Sequence, residues 1–406
     1  MMIARLVLGK DITMEGEIHD PEFVSYEHVM FTELEEYNAS IFNWEKRADL
    51  CLRNSNVAVL SGYGLKIRVR DGSLSIEYQR MVDTKVLTLN RGVHKIRNIV
   101  VTSKGGFITL DAISWLCEQN ISLYIIDWKG EIAQTLSPCQ NRSARLAYLQ
   151  YKAHDSGLNI DIAKELVRYK VGQQAQALRK LPDHWFHDAA KGRIFIREGR
   201  KVTFRGNNTV DYGECVWEKF EMAGDELSQL HEVELIRMAE ARYAHEYWQL
   251  IADIPINWKA SDKKHIPQHW LAVSERLSAI SKYGNASQAT NPFHATLNFA
   301  YALLETQVLE AINISGLSPE VGYLHVLADG GNLLAWDLME CFRPAVDIMV
   351  LDMFQKTIFC KGDFIQWYTG ECRLNEELKR YVLAECRIKD ARIDLQCKWL
   401  RAMIDQ

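Results

Sequence analysis

Two acidic side chains, Asp337 and Glu340, lie three residues apart in an otherwise apolar segment, Leu333–Pro344. On a helix, this spacing places both carboxylates on one face. Burying two like charges without a compensating cation is costly, and exposing them on so apolar a helix is awkward. A divalent metal ion would resolve the conflict, and the chemistry would then be metal-assisted catalysis.

Glu240 and His325 are the other candidate ligands, and each has an ordinary alternative role. Considered alone, Glu240 is better explained as a solvent-facing glutamate paired with Arg237, three residues earlier. A lone histidine is more often a hydrogen-bonded core group than a ligand. Taken together, carboxylates and one imidazole suit Mg²⁺ or Mn²⁺ better than zinc. Residue chemistry alone leaves the metal site and the structural roles equally open.

The elements that position these residues fall into two kinds. The stretch 57–130 contains short β-branched runs separated by Gly62, Gly64 and Asp71-Gly72, a pattern that predicts strands and hairpins. A helix is predicted over Asp111–Gln119, and a buried strand over Ile121–Ile126. After Pro138 the apolar spacing becomes helical. Helices are predicted over 142–153, 160–181, 225–251, 298–314, 333–342 and 376–384.

The predicted fold class is α+β with two domains. A β-rich N-terminal domain covers 1–140, of which 1–55 form an acidic extension. An all-α domain covers 141–406 and carries the candidate ligands. It contains an inserted segment at about 182–224, in which residues 193–204 are predicted to form a hairpin.

Charge along the 406 residues is uneven, although the formal net charge is only −5. Residues 1–60 carry five basic and eleven acidic side chains. Residues 61–104 carry nine basic against three acidic, and 142–205 carry fourteen against six. Charge runs alone are better explained as solvated faces, and the functional alternative is a track for nucleic-acid phosphates. The mild overall acidity therefore does not exclude a DNA partner.

Composition excludes several other classes of protein. With 48% hydrophobic and 25% charged residues, intrinsic disorder is excluded as the main state. No run approaches the ~18 apolar residues that a transmembrane helix needs, so no membrane association is expected. The nine cysteines are scattered without a disulfide framework, which indicates reduced thiols. We expect a cytoplasmic protein.

Four ordered motifs make the sequence resemble the integrase of CRISPR adaptation, the first of the CRISPR-associated protein families. The motifs are Glu240–Tyr247, Leu297–Leu304 preceded by Asn291-Pro292, Gly316–His325 and Asp337–Pro344. Weaker similarity runs from about Val57 to Gly130 and on through the helices. Ala241 stands where the family usually has glycine, and Cys341 where it often has proline. Neither change removes a candidate ligand.

The resemblance implies a β-rich N-terminal domain and a helical catalytic domain. It implies that Glu240, His325 and Glu340 hold a catalytic Mg²⁺ or Mn²⁺, with Asp337 as a second acidic group that supports the site. The residues it marks for DNA contact or support of the active site are Arg237, Tyr301 and Arg343.

The implied reaction is DNA strand transfer, with endonuclease activity when water replaces the attacking hydroxyl. A 3′-hydroxyl of a short foreign DNA fragment attacks a phosphodiester in the CRISPR repeat DNA. The implied assembly is a pair of homodimers bridged by the small second adaptation protein.

Two alternatives remain for the function. One is a transposon-borne relative, which residues 376–406 disfavour because they show no clear turn between two short helices. The other is a catalytically silent DNA-binding subunit, which the retention of all four ligand candidates disfavours. Without the resemblance, the next choice is a metal-dependent hydrolase.

Overall fold

The computed structural model describes most of the chain from residue 56 onward. The described ranges are 56–80, 83–127, 131–138, 143–180, 218–252, 254–273, 289–325, 331–368 and 370–405, with the backbone of four short strands between 187 and 213. The predicted acidic extension, 1–55, lies outside the described residues, as does most of the insertion.

From residue 56 to 138, the described part of the N-terminal region contains eight strands and one helix. They are β1 (Val57–Leu60), β2 (Tyr63–Arg70), β3 (Ser73–Arg80), β4 (Asp83–Leu89), β5 (Asn98–Val101), β6 (Lys104–Ile108), α1 (Leu110–Glu118), β7 (Ser122–Ile126) and β8 (Ile132–Leu136). One sheet has the order β4-β3-β2-β6 and the other β1-β5-β7-β8. In each sheet the hairpin partners are antiparallel, and the crossover partners β2/β6, β1/β5 and β5/β7 are parallel.

The two sheets and α1 enclose one hydrophobic core. Ile67 and Ile76 from one sheet meet Ile99 from the other, and Trp115 of α1 packs among them. The indole N–H of Trp115 donates to the carbonyl of Gly72 at 3.0 Å, so its polar atom is satisfied inside the core. The alternating strands β2 and β4 bury mainly one face, whereas β5 is buried at every residue and β1 and β7 at nearly every residue.

The C-terminal region is mainly helical. Its helices are α2 (Ala144–Asp155), α3 (Leu158–Lys180), α4 (Glu218–Glu221), α5 (Ala223–Ser228), α6 (Val233–Ile251), α7 (Pro292–Ser315), α8 (Leu333–Glu340), α9 (Arg343–Lys356), α10 (Glu376–Glu385) and α11 (Asp390–Ile404). Its strands are β9 (His187–Asp188), β10 (Arg193–Ile194), β11 (Arg200–Thr203), β12 (Thr209–Gly213), β13 (Phe364–Gln366) and β14 (Cys372–Leu374).

Helix α7 is the centre of this region, and α8, α9, α10 and α11 all pack against it. Its start follows from the sequence: the Asn291 side chain accepts the N–H of Phe293 at 2.9 Å, and Pro292 needs no hydrogen-bond acceptor in the first turn. Its end follows too, because Gly316 takes the left-handed conformation at φ 76°. Nearly every side chain between these caps is buried.

The two regions touch through polar contacts as well as packing. Asn98 on β5 donates a hydrogen bond to Glu310 on α7, and Arg387, between α10 and α11, donates to Asn56 at 2.7 Å. All described residues belong to one compact unit. The order of a β-rich N-terminal region followed by a helical region is confirmed, whereas the domain boundary at 140/141 stays a prediction.

The helical C-terminal region also contains the short strands β9–β14, of which β9–β12 lie in the inserted segment where strands were predicted. Three expectations about individual elements were wrong. The predicted helix over 225–251 is two helices, since Glu232 adopts an extended backbone between α5 and α6. The hairpin predicted within 193–204 does not form. Strand β10 pairs with β9, and β11 pairs with β12.

The third correction concerns the end of the chain. Residues 386–389 do form a turn between two helices, α10 and α11. Both helices pack against α7 and bury apolar faces there, which include Leu378, Val382, Ile393 and Leu400. The pair is therefore part of the core of the helical region.

Candidate active site

Three helices converge on the acidic residues. Helix α3 packs against α6, α8 and α9, and so lies beside both Glu240 on α6 and Glu340 on α8. The Nζ of Lys170, on α3, ion-pairs with an oxygen of each glutamate. The side chains of Lys170 and Glu340 are only 8% and 5% exposed. The structure thus brings two candidate ligands, 100 residues apart in sequence, onto one buried cation.

Arg343 completes the charge balance around Glu340. Its guanidinium, at the start of α9, lies 2.6 Å from Oε1 of Glu340, the last residue of α8, and 5.1 Å from the ring centroid of Tyr301. The Tyr301 hydroxyl donates to the buried carboxylate of Asp347. Tyr301 therefore supports Arg343 from below and is itself buried.

The carboxylate of Asp337 is hydrogen-bonded to the backbone of the segment that carries His325. It is fully buried and accepts the N–H groups of Tyr323, Leu324 and His325, the last two at 2.9 Å. Its Oδ1 also lies 2.6 Å from Nδ1 of His325. This contact uses one ring nitrogen and fixes the plane of the imidazole, so Nε2 is the nitrogen left for a metal or a proton.

Gly322 makes this arrangement sterically possible. A Cβ at this position would lie 2.7 Å from the carbonyl oxygen of His325, 2.8 Å from Cβ of Leu333 and 3.1 Å from Oδ2 of Asp337. Any larger residue would push the loop away from α8. The glycine in the Gly316–His325 motif is therefore explained by close approach.

Electrostatics keep Glu340 ionised. Burial alone would raise the pKa of Glu340, but the positive charges of Arg343 and Lys170 outweigh it and lower the pKa to about 2. Burial alone would lower the pKa of Lys170, but Glu340 and Glu240 raise it instead. The site is consequently a compact cluster of fixed charges.

The oxygen and nitrogen donors suit a hard divalent cation. The candidate ligands, however, do not all converge on a single metal position. Two glutamate carboxylates meet at one cation position, and one imidazole is oriented by Asp337, an arrangement typical of metal-bound histidine. Across the described ranges, no three side chains of His, Cys, Asp or Glu converge into a metal cluster. The cation between the glutamates is the Lys170 ammonium.

Three further side chains belong to this region: Trp336, Glu305 and Arg237. Trp336 lies with its ring 6.4 Å from that of His325 and donates its indole N–H to Glu305 at 3.2 Å. Burial raises the pKa of the Glu305 carboxyl. Arg237, on α6, pairs with Glu234 at 3.0 Å and not with Glu240, so the simple surface pairing considered for Glu240 is absent.

Lys170 was not among the residues singled out from the sequence, although a signal was present. Its helix buries Leu166, Val167 and Val171, so that position 170 lies within the apolar stripe. A lysine in such a stripe requires a buried partner charge. The sequence spacing alone could not identify the partner.

Comparison with known proteins identifies the class. The family model for CRISPR associated protein Cas1 matches residues 58–387. CRISPR-associated endonuclease Cas1 1 of Archaeoglobus fulgidus is 25% identical over 329 residues, covering 80% of this chain and 86% of the relative. CRISPR-associated endonuclease Cas1 of Korarchaeum cryptofilum is 26% identical over 300 residues, covering 72% and 76%. The chain belongs to the Cas1 family.

Solved structures show the same fold. A casposase bound to its integration product superposes with a TM-score of 0.66 at 23% identity, covering 86% of this chain and 90% of that one. The Cas1 protein TM1797 of Thermotoga maritima gives a TM-score of 0.60 at 17% identity, covering 86% and 97%. A Cas6-RT-Cas1–Cas2 complex gives 0.61 at 15% identity, with 86% of this chain matching 35% of that chain.

No helix in the described parts of the chain is both long and apolar enough to cross a membrane.

Proposed function

We propose that this protein is a metal-dependent DNA integrase and endonuclease that inserts short foreign DNA fragments into a CRISPR array. The observation that carries the proposal is the convergence of Glu240 and Glu340 on one buried cation, beside a histidine fixed by Asp337. Family membership supports the same activity, because several Cas1 relatives are described as CRISPR-associated endonucleases.

The proposed reaction exchanges one phosphodiester for another. The 3′-hydroxyl of the incoming fragment attacks a phosphorus in the repeat DNA, a new P–O bond forms, and the bond to the target strand's own 3′-oxygen breaks. The proton of the attacking hydroxyl is lost, and the leaving oxygen gains one. Because bond energies balance, no nucleotide cofactor is required. Water in place of the hydroxyl gives strand cleavage.

Each site residue has a role in this reaction. Glu240, His325 and Glu340 would hold Mg²⁺ or Mn²⁺, which supplies Lewis-acid stabilisation of charge on the phosphoryl oxygens. Asp337 holds the imidazole of His325 in place, so that Nε2 can serve as a ligand or as a proton donor to the leaving oxygen. Arg343 is partly exposed beside Glu340 and can contact a phosphate.

The proposed partners are double-stranded DNA with 3′-hydroxyl ends, a second copy of this chain and the small second adaptation protein. Two dimers bridged by that protein would present two active sites to the two ends of one fragment. The structural likeness to a chain of a Cas6-RT-Cas1–Cas2 complex supports a Cas2-type partner. Arg237, half-buried on α6, remains a proposed DNA contact.

A strand-transfer assay tests the proposal. Labelled duplex with free 3′-hydroxyl ends is incubated with a repeat-containing plasmid, Mn²⁺ or Mg²⁺ and the purified protein. His325→Ala should abolish joining, whereas His265→Ala, at an exposed histidine elsewhere, should leave it unchanged. Joining by His325→Ala at the wild-type rate would remove the site assignment.

The same assay addresses the alternatives. A catalytically silent DNA-binding subunit would bind the duplex without joining it under any metal. A transposon-borne relative would join the ends of its own element in preference to other DNA. Joining that requires a CRISPR repeat in the target supports the adaptation function.

A further inference from the structure

The buried ammonium of Lys170 occupies a position that the proposed catalytic metal would need. Its Nζ ion-pairs with Oε1 of Glu240 and Oε2 of Glu340 at the same time. Lys170 enters from α3, which contributes no other candidate ligand, so the contact is not a by-product of the ligands' own helices. A single positive charge therefore stands between the two carboxylates.

The ammonium of Lys170 reduces the repulsion between the carboxylates of Glu240 and Glu340. Without a cation, two carboxylates converging in a buried site repel each other, and burial adds to the cost of both charges. Arg343 contacts Oε1 of Glu340 directly and acts on Glu240 only through a weaker, longer-range attraction, whereas Arg237 is paired with Glu234. Lys170 is thus the cation that neutralises the shared position.

We propose that Lys170 is a resident counter-ion that holds Glu240 and Glu340 in place before metal binds, and that metal binds by displacing its ammonium from them. This inference rests on the proposed metal-dependent function. In this view Lys170 is a positioning residue that competes with the divalent cation. It stabilises the metal-free protein and weakens metal affinity.

The direction of the effect separates this proposal from a purely structural role. A buried lysine that only supports packing would, when removed, lower stability and either weaken metal binding or leave it unchanged. A competing lysine would, when removed, lower the stability of the metal-free protein and strengthen metal binding. Opposite changes in stability and metal affinity are therefore the result that competition for one position predicts, and support of packing alone does not produce them.

The test uses three variants of the full-length protein. Lys170→Met keeps the chain length and removes the charge, and Lys170→Arg keeps the charge. Lys379→Met is the matched control: Lys379 is also buried, 5% exposed, pairs with Glu376 at 2.8 Å and lies away from the site. Mn²⁺ affinity is measured by electron paramagnetic resonance of free Mn²⁺, and thermal unfolding is followed with Mn²⁺ and with EDTA.

We expect Lys170→Met to bind Mn²⁺ at least tenfold more tightly than wild type and to unfold at a lower temperature in EDTA. Added Mn²⁺ should raise its unfolding temperature by more than it raises that of wild type. Lys170→Arg should bind Mn²⁺ no more tightly than wild type. Lys379→Met should lose stability equally with and without Mn²⁺, with wild-type affinity.

Equal or weaker Mn²⁺ affinity in Lys170→Met would overturn the inference while leaving the proposed function standing, provided that wild type binds Mn²⁺ and Glu240→Gln does not. Mn²⁺ binding unaffected by Glu240→Gln, or absent from both wild type and Lys170→Met, would overturn both. If Lys170→Met folds only when Mn²⁺ is present, the inference is supported. If it does not fold at all, tighter binding by Lys170→Arg than by wild type would overturn it.

Discussion

Replacing Asp337 tests whether this carboxylate acts through the backbone or through a metal. The structure shows it buried, with three backbone N–H groups and the Nδ1 of His325 as its partners. Asp337→Asn keeps the shape but turns one acceptor oxygen into an NH₂ group. That group must then face either the N–H of Tyr323 and Leu324 or the groups of His325.

The expected cost follows from the number of donors left unsatisfied. Each buried N–H group without an acceptor costs about 1–3 kcal/mol, and the substitution leaves one or two N–H groups without one. We therefore expect the free energy of unfolding to fall by roughly 2–4 kcal/mol. The unfolding temperature in EDTA should fall by several degrees. Metal affinity should fall roughly 10- to 100-fold as well, because the imidazole loses the group that orients it.

Thermal unfolding in EDTA decides between the two roles. If Asp337 served mainly as a metal ligand, removing its buried charge would stabilise the metal-free protein. Wild-type or higher stability in Asp337→Asn would therefore refute the reasoning. Asp352→Asn is the control, because Asp352 pairs with Lys356 at 2.8 Å on an exposed helical face and should cost about 0.5 kcal/mol or less.

Three other predictions follow from the same site. Gly322→Ala should lower both stability and joining activity because of the close contacts around its Cβ, whereas Gly172→Ala, with open space around its Cβ, should unfold no earlier than wild type. Because the pKa of Glu340 is lowered to about 2, its stabilisation should be complete above about pH 4.5 and lost as the pH falls toward 2. Glu340→Gln should flatten this acid branch of unfolding temperature against pH, and an unchanged branch would contradict the assignment. Tyr301→Phe should lose about 1–3 kcal/mol of stability, measured by thermal unfolding, because it removes a hydrogen bond to the buried Asp347 carboxylate. An accompanying loss of DNA affinity would support the predicted DNA contact by Tyr301, and unchanged affinity would argue against it.

Local sequence signals predicted the elements well where caps and periodicity were strong. Helix α7 was predicted over 298–314 from periodicity, and its end agrees with the Gly316 cap. Its observed start at Pro292 follows the Asn291 cap and lies six residues earlier than predicted. The break between α5 and α6 was missed because Gln229–Glu232 contains neither glycine nor proline. Helix α9 was not predicted, and α11 was covered only by the general helical pattern of residues 376–406, without its own bounds.

The candidate ligands could be identified from the sequence, but the groups that each of them contacts could not. The spacing of Asp337 and Glu340 placed both on one helical turn and led to the expectation of neighbouring roles. In the structure they serve different partners: Asp337 holds the backbone before His325, and Glu340 meets Arg343 and Lys170.

The sequence by itself determined the family, the candidate acidic and histidine residues, and the order of a β-rich region before a helical one, because these depend on local motifs and periodicity. The tertiary structure decided which charges meet. Lys170 lies 70 residues from Glu240 and 170 from Glu340, and only the packing of α3 against α6 and α8 brings its ammonium between them. Long-range electrostatics of this kind have no local sequence signal, since the cost of a buried charge depends on partners that the fold supplies.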